Sequence, residues 1–474
     1  MTSPVTTATP APSPSRASSS SLDARLFATL PAGLRQQLQL PLAFQIFTLS
    51  SPPRNAASVL PNCPDAVATD RLLLLAQASS MSSPPSSNPA VFISALRVTE
   101  YATPAQTHIH IAKLDTSGHH TNASLARALA AAYISHATAA AFSSSVTSTI
   151  TIHVFARAQP AYLFPGSEHN TAKHALSDRA LLKWWAGTLV AAVATTAAAS
   201  ATAHLYVPGE TTRSMRDVWA ACCSAPTATA ISAPPIAWEW GLAPCASNAG
   251  GAANARAVLA DQRARDVVVR FPDDARTKVL ESHADADTTV AELQDMLALT
   301  GECNGRLSGF FQVELRGCEQ KTSTDKSSAP SPSSSWPGMT REAFEAAERF
   351  LMGLEFARLE DAVRSSRLLE EHLTSSGITP MNIDVHPAPA HTKSLQQHSS
   401  PVMSSDKCKQ PADDAEPAVI QSLVKRKEAP ATKSVQGLVK RAKPSMGAEP
   451  ALVQNLVKRK ATAVSNTIAQ TSAK

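Results

Sequence analysis

The chain has 474 residues, 43% of them hydrophobic and 17% charged, with a net charge of +5. That is enough apolar material for one large core or two smaller ones, so the chain is not disordered throughout. Its 34 prolines and many Ser/Ala/Thr tracts nevertheless assign much of the length to linkers and tails.

Seven cysteines (Cys63, Cys222, Cys223, Cys245, Cys303, Cys318 and Cys408) are odd in number and include no CxxC pair. This argues against a zinc ribbon or a disulfide framework and favours a reducing compartment. The first 21 residues, MTSPVTTATPAPSPSRASSSS, lack the apolar stretch of a secretory signal. Charge is uneven: residues 401–474 carry 13 Lys/Arg against 6 Asp/Glu, a surplus of +7 that leaves −2 for the first 400. Attraction to polyanions therefore resides in the tail.

In chain order, residues 1–20 read as disordered. LDARLFATLPAGLRQQL, from about Ser21, has helical spacing, and LAFQIFTL reads as a strand. SSMSSPPSSNP (79–89) is a linker, followed by the strands VFISALRVTEY and THIHIAKLD, a turn TSGHHTN and a helix SLARALAAAYI. TITIHVFARA is the next strand. The helix after it starts at Ser177, an N-cap, with Leu176 and Leu181 spaced as a hydrophobic staple and Asp178 in the first turn. Trp184 and Trp185 project about 100° apart on such a helix. WWAGTLVAAVATTAAASATA (184–203) reads as a buried Ala-rich helix in preference to a membrane span. IAWEWGL and DVVVRF read as strands, VAELQDMLAL as a helix and SGFFQVEL as a last strand.

The expected fold is α/β: a single mixed-sheet domain over 21–316, flanked by helices. A linker (317–337) leads to a helix within 338–375 whose Phe344, Phe350, Leu351, Leu354 and Leu359 should dock on the domain. Residues 376–474 read as a disordered basic tail. It holds three related copies, VIQSLVKRK, SVQGLVKRAK and LVQNLVKRK, each a hydrophobic run followed by basic residues. Such copies suit a nuclear-import signal or nonspecific phosphate contact, or a short motif that adds a strand to a partner's sheet.

No GxGxxG, Walker lysine loop, GxSxG or HExxH occurs, so the familiar nucleotide-binding and hydrolase signals are missing. The pair His119 and His120 has no evident third ligand, and no metal is expected. The segment FARAQPAYLFPGSEHNTAKHALSDRALLKWW (155–185) resembles a block of the fungal histone H3 acetyltransferases known as regulators of Ty transposition, distant structural relatives of CBP-type acetyltransferases. LFATLP, AKLDTSG, VPGE, FPDD and the helix 341–370 follow in the family's order.

The resemblance implies a nuclear lysine acetyltransferase using acetyl-coenzyme A. A free lysine amine has a pKa near ~10.4, so such an enzyme needs a site that disfavours the ammonium form and accepts its proton. By motif position the resemblance assigns Tyr162, His174 and Trp185 to a substrate channel, and Asp115, Trp185, Asp273 and Asp274 to catalysis. It assigns Leu114, Asp115, Thr116, Ala123, Arg127, Phe155, Gln159, His174, Ala175, Leu176 and Trp184 to the cofactor. Read on their residues alone, Asp115 suits an Asx turn and the Asp pair suits a helix N-cap.

The family's autoacetylated lysine falls on Arg276, so either Lys278 substitutes for it or that acetylation is absent. The implied partners are histone H3–H4 and an anti-silencing-function-type chaperone, with lysine fifty-six of H3 preferred and its tail lysines also targeted. The short stretch ISHATAAAFSSSVTST, where yeast members carry a long basic loop, disfavours a nucleosome-assembly-type chaperone. The alternative is a catalytically inactive chromatin or nucleic-acid binding module.

Overall fold

The computed structural model describes residues 42–77, 90–119, 125–143, 147, 149–196, 198–223, 236–245, 259–283, 287–300, 303, 306–317 and 338–385. The helix expected over 22–38, the linkers apart from Gly317, Ala123, His120 and the three tail copies lie outside these residues.

The strands are β1 (Leu42–Ser50), β2 (Arg54–Asn55), β3 (Val67–Gln77), β4 (Val91–Ala102), β5 (Gln106–Thr116), β6 (Thr149–Ala156), β7 (Ser200–Tyr206), β8 (Ile236–Trp240), β9 (Gly309–Arg316) and β10 (Met381–Val385). The helices are α1 (Leu125–Ser143), α2 (Asp178–Val193), α3 (Thr212–Cys223), α4 (Ala264–Val267), α5 (Ala275–Ser282), α6 (Val290–Leu299), α7 (Arg341–Met352) and α8 (Leu359–Ser375). One sheet runs β10-β1-β3-β4-β5-β6-β9-β7-β8, with β2 beside β3. Pairing is antiparallel except for β5–β6 and β7–β8, so the sheet is mixed, as expected.

Both faces of the sheet are covered. Leu72, Leu73, Leu74 and Leu75 of β3 are each at most 1% exposed, which a strand achieves only with cover on both sides. Alternation then sorts each strand. Ile46, Leu73, Val98, Ile109, Ile152 and Val313 pack with α1 and α2, while Phe47, Leu74 and Phe92 pack with α7 and α8. Beside the second group, Tyr206 and Phe310 pack with α4, α5 and α6.

Several elements depart from the sequence expectation. The continuous run in β3 conceals its period, so the pattern did not mark it as a strand. The Ala-rich stretch divides: α2 ends at Val193 and SATAHLY forms β7, paired with β9 and β8. Among the described residues no helix is long and apolar enough to cross a membrane. DVVVRF is no strand; Asp266 and Val267 close α4 and the rest is extended. The C-terminal helix breaks into α7 and α8 around Phe356, which is fully buried and donates its N–H to the Pro165 carbonyl at 2.8 Å. Leu359, expected on the docking face, is 59% exposed at the start of α8. β10 lies beyond the expected end of the domain and pairs with β1, burying Ile383.

Candidate active site

The C-terminal ends of β5, β6 and β7 and the start of β9 meet at one end of the sheet, since Ala156 pairs with Gly309 and Tyr206 with Phe310. Asp115, at the last turn of β5, is buried. Its Oδ2 accepts the N–H groups of Tyr162, Leu163 and Phe164 at 2.7, 2.8 and 3.2 Å. Its Oδ1 accepts from the Thr116 N–H and from the Lys173 ammonium, both at 2.8 Å. Three successive amides aimed at one oxygen form an anion-binding nest.

The segment 162–173 closes around that carboxylate. Lys173 also donates to Ser167 Oγ at 2.7 Å, and Ser167 donates to the Phe164 carbonyl at 2.6 Å. Asn170 Nδ2 donates to the Ser117 carbonyl at 2.9 Å. Gly118 has φ +82° and lies so close to Asn170 and Lys173 that a Cβ there would sit 2.6 and 2.7 Å from them. Only glycine fits such a position comfortably. From outside, Phe356 stacks edge-on against Phe164 at 4.8 Å, and His119 bonds the Phe356 carbonyl.

Asp115 therefore has five donors on a carboxylate with about four lone-pair sites. These contacts make it an anchor for the 162–173 segment. Lys173, Ser167 and Asn170 were not singled out from sequence; their spacing of three, which turns them to one side of a tight loop, was the available signal.

The aromatic residues sit on two sides of the β5 end. Leu114 faces α1 and α2, whereas Asp115 faces the 162–164 loop. Tyr162 accordingly packs with the α7–α8 cluster, and its hydroxyl donates to the Arg157 carbonyl. Trp185 is buried in the α1–α2 cluster and meets Trp184 edge to face at 5.0 Å. Tyr162 and Trp185 thus lie on opposite sides of the strand end.

α2 begins where expected: Ser177 accepts the Ala180 N–H and Asp178 accepts the Leu307 N–H at 3.1 Å. His174, Ala175 and Leu176, just before it, are exposed. Thr116 and Gln159 are half-buried. Arg127, in the first turn of α1, lies over the Trp184 ring at 5.5 Å, and its Nε is buried without a hydrogen-bond partner. An orphaned guanidinium N–H beside a helix N-terminus suits a phosphate-bearing cofactor.

The Asp pair is divided. Asp273 is exposed, with φ +62°. Asp274 is 1% exposed; it N-caps α5 and receives the Arg276 guanidinium on both oxygens. A carboxylate so engaged caps the helix and fixes Arg276 at the same time. Arg276 is buried and Lys278 is exposed. Among the described residues no cluster of His, Cys, Asp and Glu could hold a metal.

The mixed α/β fold is shared with a solved protein. The crystal structure of Rtt109 from Aspergillus fumigatus matches with a TM-score of 0.59, covering 76% of this chain and 100% of that one at 22% identity. The histone acetyltransferase rtt109 of Aspergillus flavus is 33% identical over 103 residues, 20% of this chain and 18% of that protein. The histone acetyltransferase rtt109 of Schizosaccharomyces pombe is 30% identical over 185 residues, 35% of this chain and 42% of that protein. These matches thus span less than half the length of either relative. The model of the histone acetyltransferase KAT11-type domain matches residues 121–372, just over half of the 474 residues, and the chain belongs to that family.

Proposed function

We propose that the protein is a histone-lysine acetyltransferase that uses acetyl-coenzyme A, with histone H3 in the H3–H4 dimer as substrate. The observation that carries this reading is the Asp115 nest, which fixes the 162–173 segment at the strand end where Tyr162 and the Trp184–Trp185 pair flank β5. Bound there, acetyl-coenzyme A supplies an activated acyl carbon. Arg127 holds its phosphates, and Leu114, Thr116, Phe155, the backbone at Gln159 and the exposed 174–176 stretch line its path, with Ala123 the further candidate in the cofactor set.

Tyr162, His174 and Trp185 border the lysine. Aromatic surroundings strip water from the ammonium and favour the neutral amine that attacks. Asp115 acts by holding this geometry, and the proton leaves through water. Asp273 and Asp274 support the site from the α5 cap.

The preferred lysine is position fifty-six of H3, with tail lysines also modified, and an anti-silencing-function-type chaperone presents the dimer. A nucleosome-assembly-type chaperone is disfavoured by the short segment after α1. The basic tail copies direct the protein to the nucleus, where chromatin assembly, replication and the damage response use the mark. Lys278, on the exposed side of α5, is the candidate for autoacetylation.

The test is acetyl transfer by the full chain to H3–H4, with and without chaperone, with the acetylated sites mapped by mass spectrometry. Transfer to H3 that falls by at least about tenfold in Trp185→Ala supports the reading. Intact binding of acetyl-coenzyme A without transfer identifies instead an inactive chromatin-binding module.

A further inference from the structure

Four planar groups are layered beneath the candidate site. The Arg276 guanidinium lies 4.7 Å from the Phe310 ring centre. Phe310 stacks on Phe155, its partner across β6 and β9, at 4.6 Å and 10°. Arg157 lies over Phe155 at 5.9 Å. Tyr206 also stacks on Phe310, at 6.0 Å, and the contacts run in series from Arg276 through Phe310 and Phe155 to Arg157. One end is tied to the α5 cap, where Asp274 holds Arg276 at 2.6 Å. The other is tied to the site loop, where the Arg157 carbonyl accepts the Tyr162 hydroxyl.

Each contact suits its partners. A guanidinium is attracted to the negative face of an aromatic ring, and its planar fork binds a carboxylate at the same time. Lysine, a point charge, cannot present both a flat face and a fork. Burial of Arg276 and Asp274 removes the competition of water.

We infer that Arg276 is a positioning residue for the proposed acetyl transfer, acting through Phe310, Phe155 and Arg157 to fix the loop that presents Tyr162. This rests on the reading that lysine and thioester meet at this end of the sheet. It also gives the Asp274–Arg276 pair a task besides capping α5.

Two measurements on the full chain test it. The first is acetyl-transfer kinetics on H3–H4 for Arg276→Gln, Phe310→Leu and the double variant, at a temperature where circular dichroism shows all of them folded. Each single change is expected to lower kcat/KM about tenfold. The double is expected to be no worse than Phe310→Leu alone, because loss of the ring already uncouples the guanidinium. Losses that multiply in the double variant, or full activity in Arg276→Lys, overturn the inference.

The second is amide hydrogen exchange, which needs no activity. Arg276→Gln and Phe310→Leu should accelerate exchange over 157–164 and leave α1 unchanged. Unaltered exchange in 157–164 overturns the inference. An inactive wild-type chain counts against the acetyltransferase reading, and the exchange result still decides this one.

Discussion

The two faces of the sheet share every central strand and are built from different materials. Under α1 and α2 the core is mainly apolar, from Ile46 and Leu73 through Ile109 and Ile152 to Val313, with a buried ion pair, Arg71 with Glu100, joined by the Tyr133 hydroxyl. The opposite face carries buried polar groups along its length: Asp70 with Arg97, His108 with His153, Asp274 with Arg276, and Asp115 with Lys173. Buried ion pairs are a weak source of stability, because desolvation offsets much of their attraction. What they supply is direction, since a charge can be satisfied in only a few geometries. The apolar face therefore holds the sheet together, and the polar face aims the residues around the candidate site.

The largest effect expected to separate the faces is acid sensitivity. Burial pushes His108 and His110 down from an ordinary 6.5 to about 4, and His153 well below its ordinary value. For His110 the nearby Asp274 works the other way, and Arg276 and Arg97 add to the lowering. These imidazoles are neutral when folded and take up protons on unfolding below about 6.5. Their contribution is complete above 6.5 and is lost as pH falls from there to about 4, on the order of 3 kcal/mol for each of His108 and His110. Urea midpoints measured from pH 7 to pH 4 should fall along this limb. His110→Phe, which keeps the 4.2 Å stacking on Phe271, should make the limb shallower. A midpoint that is level between pH 6.5 and 5 contradicts the assignment.

Next in size is Asp115→Asn. The amide cannot accept five donors and strands the Lys173 ammonium, whose side chain is 8% exposed. A loss of about 3 kcal/mol is expected. Removing the stranded charge as well, in Asp115→Asn with Lys173→Met, should return part of it. A double variant no more stable than the single one would show that the ion pair is incidental to the nest.

The same contrast explains what was legible in the sequence. Where polar and apolar residues alternate, as in THIHIAKLD and TITIHVFARA, the period marks the strand although both of its faces are buried. β3 was missed because both of its faces are covered and the run of leucines has no period. β7 was missed because Ala and Thr in SATAHLY suit either element until β9 lies alongside. Ser177 as N-cap followed from local chemistry alone. Four of the five donors to Asp115 are 47 to 58 residues away in sequence, and no local pattern encodes which lone pairs they fill. The Asp pair shows the converse: the local N-cap reading of Asp274 is met, and Arg276 adds contacts to the same carboxylate that the cap alone did not predict.

The smallest prediction isolates the apolar face at a single residue. Ile152 and His153 are neighbours on β6, both at most 1% exposed, and they point to opposite sides. Ile152→Val deletes one methylene from the aliphatic side and should cost about 1 kcal/mol. The rotamers of Val and Ile are alike, so the strand keeps its register with β5 and β9 and the layers from Phe155 to Arg276 are undisturbed. Stability should fall while kcat and KM for acetyl transfer stay at the wild-type values. A kinetic change in Ile152→Val would mean that the two faces are mechanically coupled through β6, and that the aliphatic core also sets the aim of the site.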